Sequence, residues 1–228
     1  MCNTGFSVKK AVCTAVFTAA SIVCVCAGQN DAWTTATSLC IDFPIVEHKV
    51  EYNSISNKIK ANGFDFDVSR FFISNKNNIA LSINAGVGYI QTDDILPDSD
   101  KMPGISFKFG GGVGYAFVNE NRYLIVLSCI AELDFNYLFK KYRYTAYGNT
   151  YDMNFTANEF TFNLGADFLC GMKLNSRAGL TCGVRTESVI TGSCELSAEY
   201  KNVSASKSYT EKTGGLSVYP RIGMIMIL

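Results

Sequence analysis

The 228-residue chain has one histidine, one tryptophan and four prolines, and charged residues make up only 18% of it. A lone histidine excludes the His-rich ligand sets of catalytic zinc sites. Basic and acidic residues number 20 each, so no global field steers the chain to nucleic acid. Beyond the N-terminus no run of 18 apolar residues occurs, which argues against membrane-crossing helices. Few prolines leave room for long, uninterrupted strand ladders. What is plentiful is apolar and small: 48% hydrophobic residues, 16 Phe, 12 Tyr and 19 Gly.

The N-terminus has the three parts of a secretory signal. Lys9 and Lys10 form a positive start, Ala11 to Val25 an apolar stretch, and Val25-Cys26-Ala27 a small-x-small cleavage site. Residues 1–27 are expected to be a signal peptide cleaved after Ala27, leaving 28–228 as the exported domain. Lipoprotein processing fits less well, because Val precedes both Cys24 and Cys26. Five cysteines remain: Cys40, Cys129, Cys170, Cys182 and Cys194. An odd number makes a poor disulfide framework, and the expectation is small hydrophobic side chains within strands.

Alternation is the dominant pattern. Ile79, Leu81, Ile83, Ala85, Val87 and Tyr89 interleave with Ala80, Ser82, Asn84, Gly86 and Gly88, the period-two rhythm and length of a strand tilted across a bilayer. Eight such stretches are expected: Thr37 to Ile45, Lys58 to Phe72, Ile79 to Gln91, Ile105 to Val118, Tyr123 to Phe139, Thr156 to Met172, Ala178 to Ile190 and Leu216 to Leu228. Short polar turns at Ser74–Asn78, Asn119–Arg122 and Asn175–Arg177 alternate with long connections: 46–57, Thr92–Gly104, Lys140–Phe155 and Thr191–Thr213. Short turns on one side and long loops on the other are the habit of outer-membrane barrels, and an even strand number closes the sheet without an edge. The fold class expected is all-β: an eight-stranded antiparallel up-and-down transmembrane β-barrel.

One face of these strands carries Gly, Ser, Thr, Asn and the charges, and the other is almost uncharged. A soluble barrel would bury the apolar face. Here the polar face is too rich in Gly and Ser for a solvated surface, so the apolar face is assigned to lipid. Asp65, Asp67, Lys108, Glu132, Asp134, Asp167, Arg185, Glu187 and Arg221 then point into a narrow lumen and should pair there. Turn symmetry about Glu120 opposes Lys108 to Glu132, and a one-step slip would oppose it to Asp134. Symmetry about Ser176 opposes Asp167 to Arg185, and Cys170 to Cys182 on the lipid face.

With these features the chain resembles the small eight-stranded outer-membrane proteins, the OmpA transmembrane domain, OmpX and OmpW among them. One local motif supports the resemblance. Those proteins end in an assembly signal, and Arg221, Gly223, Met226 and Leu228 fall at its polar, glycine, apolar and terminal positions, with Leu where Phe is usual. The resemblance implies outer-membrane lipids and the outer-membrane assembly machinery as partners. It leaves two modes of action open. OmpW-like barrels have an apolar lumen for small solutes, whereas OmpX- and OmpA-like barrels are filled and work through their loops. The inward charges favour the second mode.

Other constellations have plainer explanations. Gly110-Gly111-Gly112-Val113-Gly114 has no helix after it, so crowding in the lumen explains it better than a phosphate loop. His48 with Glu47 and Ser54 or Ser56 could imitate a hydrolase triad, but a solvated loop histidine fits better. Asp93, Asp94, Asp98 and Asp100 lack calcium-loop spacing. Lys140, Lys141, Tyr142, Arg143 and Tyr144 interleave base and ring, a surface suited to head groups, glycans or a host protein. The function expected is a non-enzymatic surface barrel without cofactor, acting as envelope-stabilising protein, surface antigen or adhesin through contacts with a host or envelope ligand. A small-solute pore and a lipid-modifying barrel enzyme are the alternatives.

Overall fold

The computed structural model describes residues 33–52, 55–93, 101–119, 122–146, 148–200 and 203–227. Within them the chain is β throughout, in nine segments: β1 (Trp33–Asp42), β2 (Ile45–Tyr52), β3 (Ile55–Ser74), β4 (Ile79–Asp93), β5 (Met102–Asn119), β6 (Tyr123–Ala146), β7 (Asn149–Lys173), β8 (Ala178–Tyr200) and β9 (Val203–Ile227). The signal segment, Ser54, residues 94–100, Glu120 and Leu228 lie outside the described residues.

Every pairing is antiparallel; β1 and β2 both pair with β3, consecutive strands pair from β3 to β9, and β9 returns to β1 and β2, so the sheet closes. β1 and β2 are two lengths of one wall strand, since both lie between β3 and β9. The interruption falls at Pro44, which has no N–H to give to a ladder. Phe43 N still donates to Pro220 O at 2.9 Å, which holds the break in the wall. The ring therefore has eight staves, as alternation predicts.

The strands exceed the sequence expectation. β6 to β9 run 24, 25, 23 and 25 residues, against the ~9–11 needed to cross a bilayer. The long connections expected at 140–155 and 191–213 are mostly strand: β6 pairs with β7 up to Ala146↔Asn149, and β8 with β9 up to Tyr200↔Val203. The loop expected at 46–57 is likewise β2 paired with β3. Above the membrane both faces of a ribbon meet water, so these strands need no apolar alternation. Gly148 turns the β6–β7 tip with a positive φ of 77°, a conformation that suits a residue without Cβ.

The outward face carries a continuous apolar band that includes Phe66, Phe109, Val113, Leu127, Leu133, Leu164, Ile222 and Met224, all exposed. Aromatic pairs border it. Tyr115 and Phe117 lie near the short turns, and Phe64 with Tyr89 and Tyr137 with Phe139 near the opposite end. Ile105, which shares a row with Tyr89 and Tyr137, lies about ten residues from Tyr115 on β5. That is about 33 Å of strand, or about 25 Å of height at the usual tilt, the thickness of the apolar band in outer-membrane barrels.

The lumen is layered. Near the short turns it is filled by apolar side chains, among them Ala36, Phe71, Ile73, Leu124, Leu169 and Ile225. Towards the other end Val46, Ile90, Met102, Leu138 and Tyr219 make a second apolar layer, with Phe155 and Leu196 packed against it. The inward charges lie between the two.

Candidate functional site

Inward parity brings seven carboxylates and three cations into that middle layer. Arg221 is the hub on β9. Its Nη2 donates to Asp42 Oδ2 at 2.9 Å and Asp67 Oδ1 at 2.7 Å, and its Nη1 to Asp167 Oδ2 at 2.8 Å. Arg185, one strand over, donates through Nη1 to Glu132 Oε2 at 2.9 Å and through Nη2 to Asp167 Oδ2 at 3.4 Å. Asp67 at 3.5 Å and Glu187 at 3.9 Å complete its surroundings. Both guanidiniums are about 1–2% exposed. A planar fork presents five donors in fixed directions, so it can hold several carboxylates in a set geometry, where an ammonium offers three rotatable ones.

Lys108 is the third cation. Its Nζ lies 2.7 Å from Asp65 Oδ2 and 3.5 Å from the centre of the Tyr219 ring, so it bridges the ionic layer to the second apolar layer. Its cross-strand partner is Asp134, and Glu132 lies opposite Gly110. The symmetric pairing of Lys108 with Glu132 is thus corrected by one step, because the β5–β6 turn is centred nearer Asn121 than Glu120. Asp167 does lie opposite Arg185, and Cys170 opposite Cys182. None of the five described cysteines forms a disulfide.

The layer needs space, and glycine supplies it. A Cβ on Gly88 would collide with the Asp65 carboxylate, and one on Gly110 would sit 3.0–3.1 Å from Glu132. Sequence reasoning missed Asp42, Asn84 and Ser106 as members of the layer. Asn84 Nδ2 donates to Glu132 Oε2, and Ser106 Oγ donates to Asp65 Oδ1 at 2.5 Å. All three have inward parity, and that was the available signal.

Glu132, Asp134 and Glu187 each bring one carboxylate oxygen within 4.8 Å of the others. That spacing admits a hard cation, but Arg185 already reaches Glu132 and Glu187, and Lys108 is the cross-strand neighbour of Asp134.

A second polar group crosses the upper apolar layer. His48 is 2% exposed and sits on β2 with its side chain inward, which corrects its expected place in a solvated loop. His48 Nδ1 lies 2.6 Å from Glu159 Oε1, and Ser217 Oγ lies 3.3 Å from His48 Nε2. Asn136 Nδ2 donates to Glu159 Oε2 at 2.5 Å. A ring protonated on Nδ1 donates to the carboxylate and leaves Nε2 to accept from the serine. Of the triad partners considered in the sequence, Glu47 pairs with Lys58 at 2.6 Å on the surface, and Ser54 and the Ser56 side chain lie outside those described. The Ser217–His48–Glu159 order resembles a nucleophile–base–acid chain. All three residues are at most 5% exposed, however, and the chain acts as a strut joining β9, β2 and β7. His48→Ala is expected to remove the partner of Glu159 Oε1, while Asn136 keeps Oε2, and to cost about 1–3 kcal/mol in urea unfolding. Ser217 is expected to resist a fluorophosphonate probe, and stoichiometric labelling at Ser217 would contradict the strut.

At the outer rim, Lys140, Lys141, Tyr142, Arg143 and Tyr144 are not a loop but the far end of β6. Arg143 Nε donates to Asp152 Oδ1 across the hairpin at 2.7 Å, and the Tyr151 and Tyr200 rings meet edge-on at 5.4 Å. The Tyr142 and Tyr144 side chains lie outside those described. Arg143 beside it holds the Asp152 carboxyl below its ordinary value. A depressed carboxyl contributes stability above its unfolded value and loses it as pH falls through the folded one. The protection factors of amides at the β6–β7 tip, after correction for the intrinsic pH dependence of exchange, are therefore expected to fall as pH drops through the folded value of Asp152. Of the C-terminal motif, Arg221 is the lumen hub, Gly223 lies opposite Cys40 and Met226 faces outward; Leu228 lies outside the described residues.

A closed antiparallel ring, an outward apolar band and an inward charge layer define a transmembrane β-barrel of the small outer-membrane type. Solved structures agree on the fold. The chain superimposes on a major outer-membrane protein of Thermus thermophilus with a TM-score of 0.50 at 10% identity, covering 85% of this chain and 99% of that one. It matches OprG, an outer-membrane protein of Pseudomonas aeruginosa, with a TM-score of 0.50 at 11% identity over 86% and 95%. Neisserial surface protein A gives 0.45 at 12% identity over 84% and 96%. No family model and no curated protein matches the sequence.

Proposed function

We propose that the chain is exported by its cleaved signal, residues 1–27, to a bacterial outer membrane, and works there as a non-enzymatic surface barrel. Its outer ribbon, the ends of β6 to β9, contacts an envelope or host ligand, so its role is that of an envelope-stabilising protein, surface antigen or adhesin. The carrying observation is the filled lumen: two apolar layers enclose an ionic layer bonded from wall to wall, which leaves the outer ribbon as the surface available to partners. The Lys140–Tyr144 segment is the proposed contact, and Arg221, Gly223, Met226 and Leu228 the proposed signal to the assembly machinery.

Protease shaving of intact cells tests the orientation. Cleavage within 140–155 and 195–210, with the turns at 74–78 and 174–177 protected, is the expected pattern. The reverse pattern would place the ribbon inside and end this reading.

A further inference from the structure

The middle layer is short of positive charge, with seven carboxylates facing three cations. Arg185 and Lys108 do not exhaust the acids they adjoin. Arg185 Nη1 donates to Glu132 Oε2 at 2.9 Å, and Asn84 donates to the same oxygen. Glu132 Oε1 has no hydrogen-bond donor among the described residues. Arg185 Nε stands 3.9 Å from Glu187 Oε1, beyond hydrogen-bond length, and neither Glu187 oxygen has a donor there. Lys108 directs its ammonium at Asp65, 2.7 Å away, and at the Tyr219 ring, while Asp134 Oδ1 has no donor. Glu132, Asp134 and Glu187 are at most 3% exposed. Buried acids without counter-charge are costly.

Strand β7 brings two more oxygens to the same place. Asn163 lies opposite Glu132, and Thr161 opposite Asp134. On its other edge β7 meets β8, where Glu187 lies opposite Gly165, two residues from Asn163. Thr161 and Asn163 thus stand between the two acids of β6 and the acid of β8. Both point inward, at 0% and 2% exposure, and neither Thr161 Oγ1 nor Asn163 Oδ1 has a hydrogen-bond partner among the described residues. Glycine opens the seat. A Cβ on Gly165 would lie 2.9 Å from Glu187 Cγ, so the Glu187 side chain crosses the bare strand from β8 towards β6.

We propose that Glu132, Asp134 and Glu187, with Asn163 and Thr161, hold one structural calcium ion in the lumen. The three carboxylates each bring an oxygen within 4.8 Å of the others. Calcium binds oxygen at about 2.3–2.6 Å, so ligands across one ion stand about 4.6–5.2 Å apart, which matches that spacing. Magnesium, at about 2.0–2.1 Å, would draw them closer and retain several waters. Carboxylate, amide and hydroxyl oxygens are the ligands a hard cation takes, and a divalent charge reduces the deficit of the layer. The apolar layers above and below enclose the site, so the ion is captured as the strands close, and its binding energy becomes folding energy. The site lies apart from the outer ribbon, so its failure would leave the role proposed for that ribbon standing.

The test refolds the full mature chain from urea into micelles, with calcium chloride or with a calcium chelator. The expected result is one calcium per folded chain after gel filtration in calcium-free buffer, counted by elemental mass spectrometry. The urea midpoint should be higher with calcium than with chelator. Asp134→Asn/Glu187→Gln should lower bound calcium at least about tenfold and make the midpoint indifferent to calcium, because amides need no counter-ion. Asn163→Leu, which alters no charge, should also lower bound calcium, so the proposal can be judged even if the double variant folds poorly. Asp93→Asn/Asp94→Asn/Asp98→Asn/Asp100→Asn, in the acidic connection, should leave it unchanged. A wild-type chain that folds without calcium, a midpoint equal in calcium and chelator, or calcium lost only in the Asp93–Asp100 variant would each overturn the proposal. So would a calcium-free wild type that acid alone stabilises, since protons would then neutralise the acids.

Discussion

Arg185→Ala is expected to lower the stability of the barrel by about 3–5 kcal/mol, read as a fall in the urea midpoint of unfolding in micelles. The guanidinium reaches Glu132, Asp167, Asp67 and Glu187, and it is 1% exposed. Removing it takes the guanidinium from buried Glu132 and Glu187 and leaves Asp67 and Asp167 to Arg221 alone, with apolar side chains above and below the layer. The cost comes from the stranded charges and not from lost attraction alone. Two companions separate these contributions. Arg185→Lys keeps the charge but not the fork and should fall between the two. Arg185→Ala with Glu132→Gln removes one stranded charge and should recover part of the loss. An unchanged midpoint in Arg185→Ala would show that the ionic layer does not hold the barrel together.

Leu133→Arg is expected to cost about 2–4 kcal/mol when the protein folds into bilayers. Leu133 is 42% exposed and sits in the middle of the outward band, opposite Phe109 on β5 and Phe162 on β7. If that face meets hydrocarbon, an arginine there must drag its charge towards the head groups. If the face met water, the same change would be near neutral and would improve solubility. The sign of the effect therefore identifies the solvent of the apolar face. A neighbouring exchange on the outer ribbon, such as Thr145→Arg, supplies the neutral comparison, since Thr145 is exposed above the band.

Parity made most of this legible in advance. The alternation at Ile79–Tyr89 locates a membrane strand, and the same two-residue rule places Asp65, Asp67, Asp167, Arg185 and Arg221 on one inner surface before any contact is known. Parity fails where its physical cause ends. Above the membrane both faces of a strand are wet, so residues 140–155 and 191–213 lose their alternation without losing their pairing, and a β-ribbon looks like a loop. His48 was lost for a related reason. Pro44 interrupts the wall at the point where strand one was expected to end, and the resumption of inward parity at Val46 and His48 then goes unnoticed. Glu159 and Ser217, its partners, come from strands more than a hundred residues away, a proximity that only barrel closure creates. The Lys108 register erred by one step because the symmetry centre of a polar turn is not marked by composition.

Single-channel recording in planar bilayers tests the filled lumen most directly. Purified wild-type protein, inserted and folded, is expected to add no reproducible conductance steps to the bare membrane. Stable unitary conductance from that protein would contradict it, because ions would then be crossing two apolar layers and an ionic layer in which carboxylates and guanidiniums are bonded from wall to wall.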